Sequence, residues 1–340
     1  MAGEIAPAGT LYMEINIYFW IVFNAFVLLM LALDLFVFHR HAHEVKMKES
    51  ILWTIFWIGL SLLFNLGVYW QMGQAPALEF LTAYLIEKSL SVDNLFVFLI
   101  IFNYFHVPLQ YQHKILFWGI LGALVLRAIF ILVGVALLQQ FHFITYLLGA
   151  FLVFTGIKMA TTKQDTIDPK ANPVVKFISR YMPVTNTLVG GKFFVRRDKT
   201  VFATPLFIVL IMVETTDVVF AADSIPAILA ISQDTFIVYT SNVFALLGLR
   251  ALYFALAGIM KMFHYLHYGL ALILVFIGGK LLAAGFMKID MVWALVVVAV
   301  ILVGSVVLSL IFPKKDADLP VPANPETLPE ARPEIKPPLK

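Results

Sequence analysis

No cysteine occurs among the 340 residues, and that absence removes disulfide scaffolds, thiol exchange, Fe–S ligation and zinc–thiolate sites together. Any metal must be held by oxygen or imidazole. Charge is scarce as well: Asp, Glu, Lys and Arg make up 13% of the chain against 61% hydrophobic residues, and the mean hydropathy is +0.91, far outside the range of a soluble domain. With no Walker-type glycine-rich loop and no nucleophile motif, neither an enzyme nor an ATP-driven pump is expected, and no nucleic-acid partner either. The stretch MAGEIAPAGTLYMEIN lacks a basic region ahead of the first apolar run, so no cleaved leader is expected.

What the chain has instead is long apolar runs. A bilayer core of roughly 30 Å needs about 20 apolar residues per helix, and nine stretches meet that need: about 14–38, 51–71, 79–104, 114–138, 141–160, 202–231, 236–260, 266–286 and 290–312. A β-barrel would alternate in polarity over segments of about ten residues. These runs are apolar all round, so the expected fold is an all-α polytopic membrane protein in contact with the lipid bilayer. Lys and Arg cluster in the odd-numbered loops, whereas QMGQAPALE, QQFHF and SQD carry none. That pattern places the N-terminus outside and the C-terminus in the cytoplasm.

Self-similarity divides the chain further. YLLGAFLVFTGIK (146–158) parallels YGLALILVFIGGK (268–280), LVLRA at Arg127 parallels LGLRA at Arg250, and DNLF at Asp93 parallels DVVF at Asp217. The offsets are 124 for the Asp pair, 123 for the Arg pair and 122 for the Lys158/Lys280 pair. Each copy holds three crossings, an odd number, so the copies enter the bilayer from opposite sides. This inverted repeat is the plan of many secondary transporters, which bind substrate at the midplane between the copies. The expected divisions are an N-terminal two-helix segment (1–78), the first repeat (79–160), a basic cytoplasmic connector (161–201), the second repeat (202–286), a last span (287–312) and a disordered proline-rich tail (313–340).

Carboxylates sit where the apolar runs would be at bilayer depth. LTAYLIEKSLSVDNLFVF (81–98) contributes Glu87, Lys88, Asp93 and Asn94; VETTDVVFAADSIPAI (213–228) contributes Glu214, Asp217 and Asp223. On a helix Glu87, Ser91 and Asn94 form one stripe, and Glu214 and Asp217 share a face. Asp223 would point away on an unbroken helix, but Pro226 cannot donate to the Ala222 carbonyl, which predicts a kink or unwinding that re-aims it. Intramembrane ionisable groups are costly and mark function by default. Lys88, Arg127, Arg250 and Lys280 would balance or gate the five acids and leave a surplus of one negative charge, with fixed ion pairs between helices as the plain alternative. Oxygen ligands without thiolate suit Mg²⁺, Ca²⁺ or Mn²⁺, and no core histidine is required. His39, His41 and His43 beside Arg40 read as a solvated interfacial face.

The segments EKSLSVDNLFVF, VETTDVVFAADSIPAI and SNVFALLGLRALYF, with LALDLFVF and SLLFN in the first two helices, resemble the TerC family of integral membrane proteins and, within it, its Alx branch. The resemblance covers about residues 20–312 and leaves the tail outside. It implies a fold of the lysine-exporter superfamily, residence in the bacterial inner membrane and export of Mn²⁺ as transported substrate, with no permanently bound cofactor. In some members it also implies supply of metal to exported proteins, so an exported metalloprotein or a secretion component is a possible partner. A membrane assembly or metal-loading scaffold without transport is the alternative. By position, Glu87, Asp93, Glu214, Asp217 and Asp223 would carry the metal. Asp34, near the cytoplasmic end of helix 1, would help admit it.

Overall fold

The computed structural model describes residues 17–36, 47–141, 143–161, 174, 182–185, 188–197, 200–257, 265–286 and 290–312. Within them lie ten helices and one hairpin: α1 (Ile17–Phe36), α2 (Met47–Met72), α3 (Gln74–Tyr104), α4 (Leu109–Gln140), α5 (Phe143–Thr161), β1 (Phe194–Arg197), β2 (Thr200–Ala203), α6 (Pro205–Leu229), α7 (Thr235–Leu247), α8 (Leu249–Ala257), α9 (Leu266–Ala283) and α10 (Met291–Ile311). Helices are what uniformly apolar runs must form, because in lipid every backbone group has to bond within its own segment.

Six of these helices, α2, α4, α5, α6, α9 and α10, are long and apolar enough to cross a membrane. A seventh crossing results if α7 and α8, bent by 41° at a break, form one span. Two of the nine expected spans fall short of that test for different reasons. The apolar part of α1 is limited to Ile17–Leu33. The 31 residues of α3 are ample in length but include Glu79, Glu87, Lys88 and Asp93. The connector holds an antiparallel β1–β2 ladder, Phe194 opposite Ala203 through Arg197 opposite Thr200, which the run-length reading did not anticipate.

Between helices in lipid there is no hydrophobic driving force, so close packing through small residues decides which pairs form. The most extensive pair is α5 on α9, and its contacts are reciprocal. A Cβ on Gly149 would lie 3.0 Å from the Gly278 carbonyl oxygen, and a Cβ on Gly278 would lie 2.7 Å from that of Gly149. A Cβ on Gly156 would meet the Ala271 carbonyl oxygen at 2.7 Å. Partner numbers fall in one helix as they rise in the other, so α5 and α9 run antiparallel. Under the 122-residue offset Gly149 corresponds to Ala271 and Gly156 to Gly278, so each contact maps onto the other.

Helices α4 and α6 instead run side by side in one direction. Gly119 of α4 lies against Val213, Gly122 against Glu214 and Gly134 against Leu229. An aromatic cluster of Phe23, Phe64, Phe80 and Phe244, with ring centroids 4.8 to 6.1 Å apart, ties α1 and α2 to α3 and α7. Asp234 caps α7 by accepting from the Phe236 and Ile237 amides, and Asp290 caps α10 through the Val292 amide, meeting donors that a helix start leaves open.

The expected break at Pro226 is corrected. Helix α6 runs unbroken through Pro226. The proline stands in the last turn, so only one hydrogen bond is lost and no later turn depends on it. The bend lies instead at Gly248, between α7 and α8. There a Cβ would come within 2.8 Å of the Lys88 ammonium and 3.0 Å of Trp57 Cβ. The corresponding residue of the first repeat is Val125, and α4 continues as one helix through it.

Candidate functional site

Arg127, near the middle of α4 and 1% exposed, is the centre of the acidic region. Its guanidinium grips Asp217 of α6 with two parallel bonds, Nε to Oδ2 at 3.1 Å and Nη2 to Oδ1 at 2.9 Å. Its Nη1 donates to Glu87 Oε1 of α3, and Ser224 Oγ of α6 lies 3.5 Å from the same nitrogen. Such a planar fork suits arginine and no other side chain. Glu87 and Asp217 are themselves buried. The first helices of both repeats therefore converge on one cation supplied by α4.

The arginine does not satisfy every acceptor. Glu87 Oε2, Ser91 Oγ and Glu214 Oε2 are buried without a hydrogen-bond partner. Glu87, Ser91 and Asn94 all face inward, as the helical stripe requires. The Glu214 carboxylate lies directly on Gly122 of α4, where any Cβ would collide with it. Beside Asp217 a cavity of about 10 Å³ is lined by Phe98, Gly119, Ala123 and Leu249, which is at the lower limit of the space one water needs. Among the described residues, no three His, Asp or Glu side chains are arranged so as to hold a metal ion. The guanidinium takes the place between the carboxylates.

The other expected site residues are distributed around this centre. Asp93 bonds His267 of α9, Oδ2 to Nδ1 at 3.0 Å, and the second ring nitrogen is 2.8 Å from the Met159 carbonyl oxygen. His267 is thus a partner of Asp93 that the acidic motifs alone did not indicate. A carbonyl only accepts, so Nε2 carries a proton, and the bond to Asp93 needs a second proton on one of its two partners. Asp223 lies against Thr155 and Lys158 of α5 and reaches them without a helix break. Lys88 turns away from the acids and donates to the Ala245 carbonyl, 3.1 Å away, beside the Gly248 bend. Arg250 is buried two residues past that bend. Lys280 stands in the last turn of α9, near Glu79 and Asp290 and away from the centre. The side chain of Asp34, the His39, His41 and His43 cluster and the tail from residue 313 lie outside the described residues.

Two members of the region were missed from sequence. Ser224 lies seven residues after Asp217, a spacing that keeps it on the same helical face, so extending the stripe would have found it. His267 had no such signal, because its counterpart in the first repeat is Thr145.

Membrane-length helices closing around a buried arginine–carboxylate centre define a polytopic integral membrane protein with an ionic core. The chain belongs to the integral membrane protein TerC family, whose profile matches residues 72–317. An uncharacterized membrane protein of Myxococcus xanthus is 48% identical over 88% of this chain and 96% of its own length. A protein of Escherichia coli K12, named as a candidate membrane-bound redox modulator, Alx, is 48% identical over 85% of this chain and 93% of its own. An uncharacterized membrane protein of Rickettsia bellii is 43% identical over 86% and 97%. No solved structure matches the chain.

Proposed function

We propose that this protein is a secondary transporter that exports a divalent cation, with Mn²⁺ the favoured substrate, through the centre formed by Glu87, Arg127 and Asp217. The observation that carries the reading is the cross-repeat clamp: one arginine held by carboxylates from the first helix of each repeat. A guanidinium seated there is a tethered cation, which leaves when a mobile ion with more charge takes its place. A divalent ion would offset Glu87 and Asp217 fully, whereas the arginine offsets only half of their charge. Charge balance in the arginine-bound state is completed by one proton, which makes metal-for-proton exchange the natural coupling. Glu214, Asp93, Asn94 and Asp223 then line the path, with Asp93 hydrogen-bonded to His267.

The antiparallel, reciprocal α5–α9 pair supports the inverted repeat over 79–160 and 202–286. On this reading α3 crosses the bilayer with its charges turned inward, and nine spans put the N-terminus outside the inner membrane and the C-terminus in the cytoplasm. Because no cysteine is present, a redox role like the one in the Escherichia coli relative's name would act through metal supply rather than thiol exchange.

The test is cellular manganese, measured by elemental analysis after a Mn²⁺ challenge in cells lacking the protein and carrying each variant. Deletion raises cellular Mn and wild type lowers it again. Asp217→Asn reaches the membrane but does not restore export, since the amide supplies no charge against the dehydration of a divalent ion. Unchanged Mn on deletion rules out export. Full rescue by Asp217→Asn favours a scaffold role or moves the site elsewhere.

A further inference from the structure

Residues 161–201 carry eight basic and three acidic side chains, an excess of five in a chain whose net charge is +3. The described part of that segment is not free in solution. Lys114, in the first turns of α4, donates to the Gly191 carbonyl at 2.8 Å and stands 4.5 Å over the Phe193 ring. The Phe194 ring packs on Phe207 in the first turn of α6, with centroids 4.5 Å apart, and Thr204 donates to the Lys192 carbonyl at 2.6 Å. The hairpin is thereby fixed at the membrane end where α4 and α6 both begin.

Its outward residues have an unusual composition. Phe194 and Arg196 alternate along β1 and share a face; both are exposed, as is Lys192 just ahead of the strand. Val201, paired with Arg196 across the ladder, is 46% exposed and Phe194 44%. Bare Phe and Val beside Lys and Arg are poorly placed in bulk water, but at a bilayer surface the apolar side chains enter the acyl boundary while the cations meet phosphate. We infer that this hairpin is a binding ribbon for anionic phospholipid headgroups, with Lys192 and Arg196 taking the phosphates and Phe194 and Val201 seated among the acyl chains. The bound lipid holds together the starts of the two helices that carry Arg127 and Asp217.

The experiment is native mass spectrometry of the full-length protein in detergent, with equimolar phosphatidylglycerol and phosphatidylcholine. Wild type retains phosphatidylglycerol in preference. Each basic residue near a charged surface contributes about fivefold, so the Lys192→Gln/Arg196→Gln double variant loses roughly 25-fold of that preference while eluting as wild type does. Phe194→Ser lowers retention of both lipids. The inference is overturned if the double variant keeps the preference, if wild type holds the two lipids equally, or if millimolar inorganic phosphate displaces the bound lipid, which would make this a site for soluble anions.

Discussion

Replacing Arg127 with glutamine removes the only side chain seen to bridge Glu87 and Asp217 among the described residues. Both acids stay buried, since neither owes its burial to the arginine alone: α3 packs on α7, α6 packs on α4, and α3 and α6 pack on each other. The cost is therefore that of uncompensated buried charge, on the order of 3–5 kcal/mol. That is a factor of about 10² to 10³ or more in the folded-to-unfolded ratio. Arg127→Lys recovers only part, because an ammonium cannot make the two parallel bonds to Asp217. Adding Asp217→Asn to Arg127→Gln removes one of the stranded charges, so the double variant is more stable than the single one. The assay is thermal unfolding of purified variants in one detergent, followed by monodispersity, with the four members of the double-mutant cycle compared. If Arg127→Gln unfolds with wild type, or if Asp217→Asn makes it worse, the clamp is not what balances these acids.

Gly278→Leu places a side chain against the Gly149 carbonyl and the Val153 amide, backbone that cannot yield, so α5 and α9 separate and little folded protein reaches the membrane; immunoblots of membrane fractions read this directly. Gly248→Leu displaces the Lys88 ammonium from its seat beside the bend and is expected to impair Mn export in the cellular assay more than it lowers membrane abundance. Reporter fusions after residues 140 and 233 should read as external and those after 110 and 180 as cytoplasmic, and a cytoplasmic signal at 233 would refute the inverted arrangement.

The helical runs were legible in the sequence because the bilayer imposes a minimum apolar length, and α4, α5, α6, α9 and α10 lie where those runs do. The acidic stripe of α3 was legible for a similarly local reason, the period of the helix. Pairing was not. Nothing in the spacing of Arg127 and Asp217, 90 residues apart, distinguishes that pair from Arg127 with an acid of its own repeat, because the choice depends on how α4 packs against α6 through Gly119 and Gly122. The bend was misplaced by weighing Pro226 by its chemistry without its position in the last turn. Its true place was visible as the one difference inside the matched LVLRA and LGLRA segments.

That difference bears on which parts can exchange roles if the repeats alternate access. The bend at Gly248 and the amine beside it occur in one repeat only, since Val125 stands where Gly248 does and Met212 where Lys88 does. A feature written into one half cannot pass to the other, so the first repeat has no α7–α8 bend to adopt. Glu87 and Glu214 are one-sided too, with Ile211 and Leu90 at the matching positions. What the halves share includes the Asp, Arg and Lys of each repeat and the small-residue contacts of α5 and α9. A rocking motion of one repeat against the other must therefore keep the α5–α9 seam as its axis, where reciprocal contacts tolerate a small rotation of either partner. On the proposed transport reading its stroke comes from the clamp, where Arg127 either holds both carboxylates or leaves them to the cation.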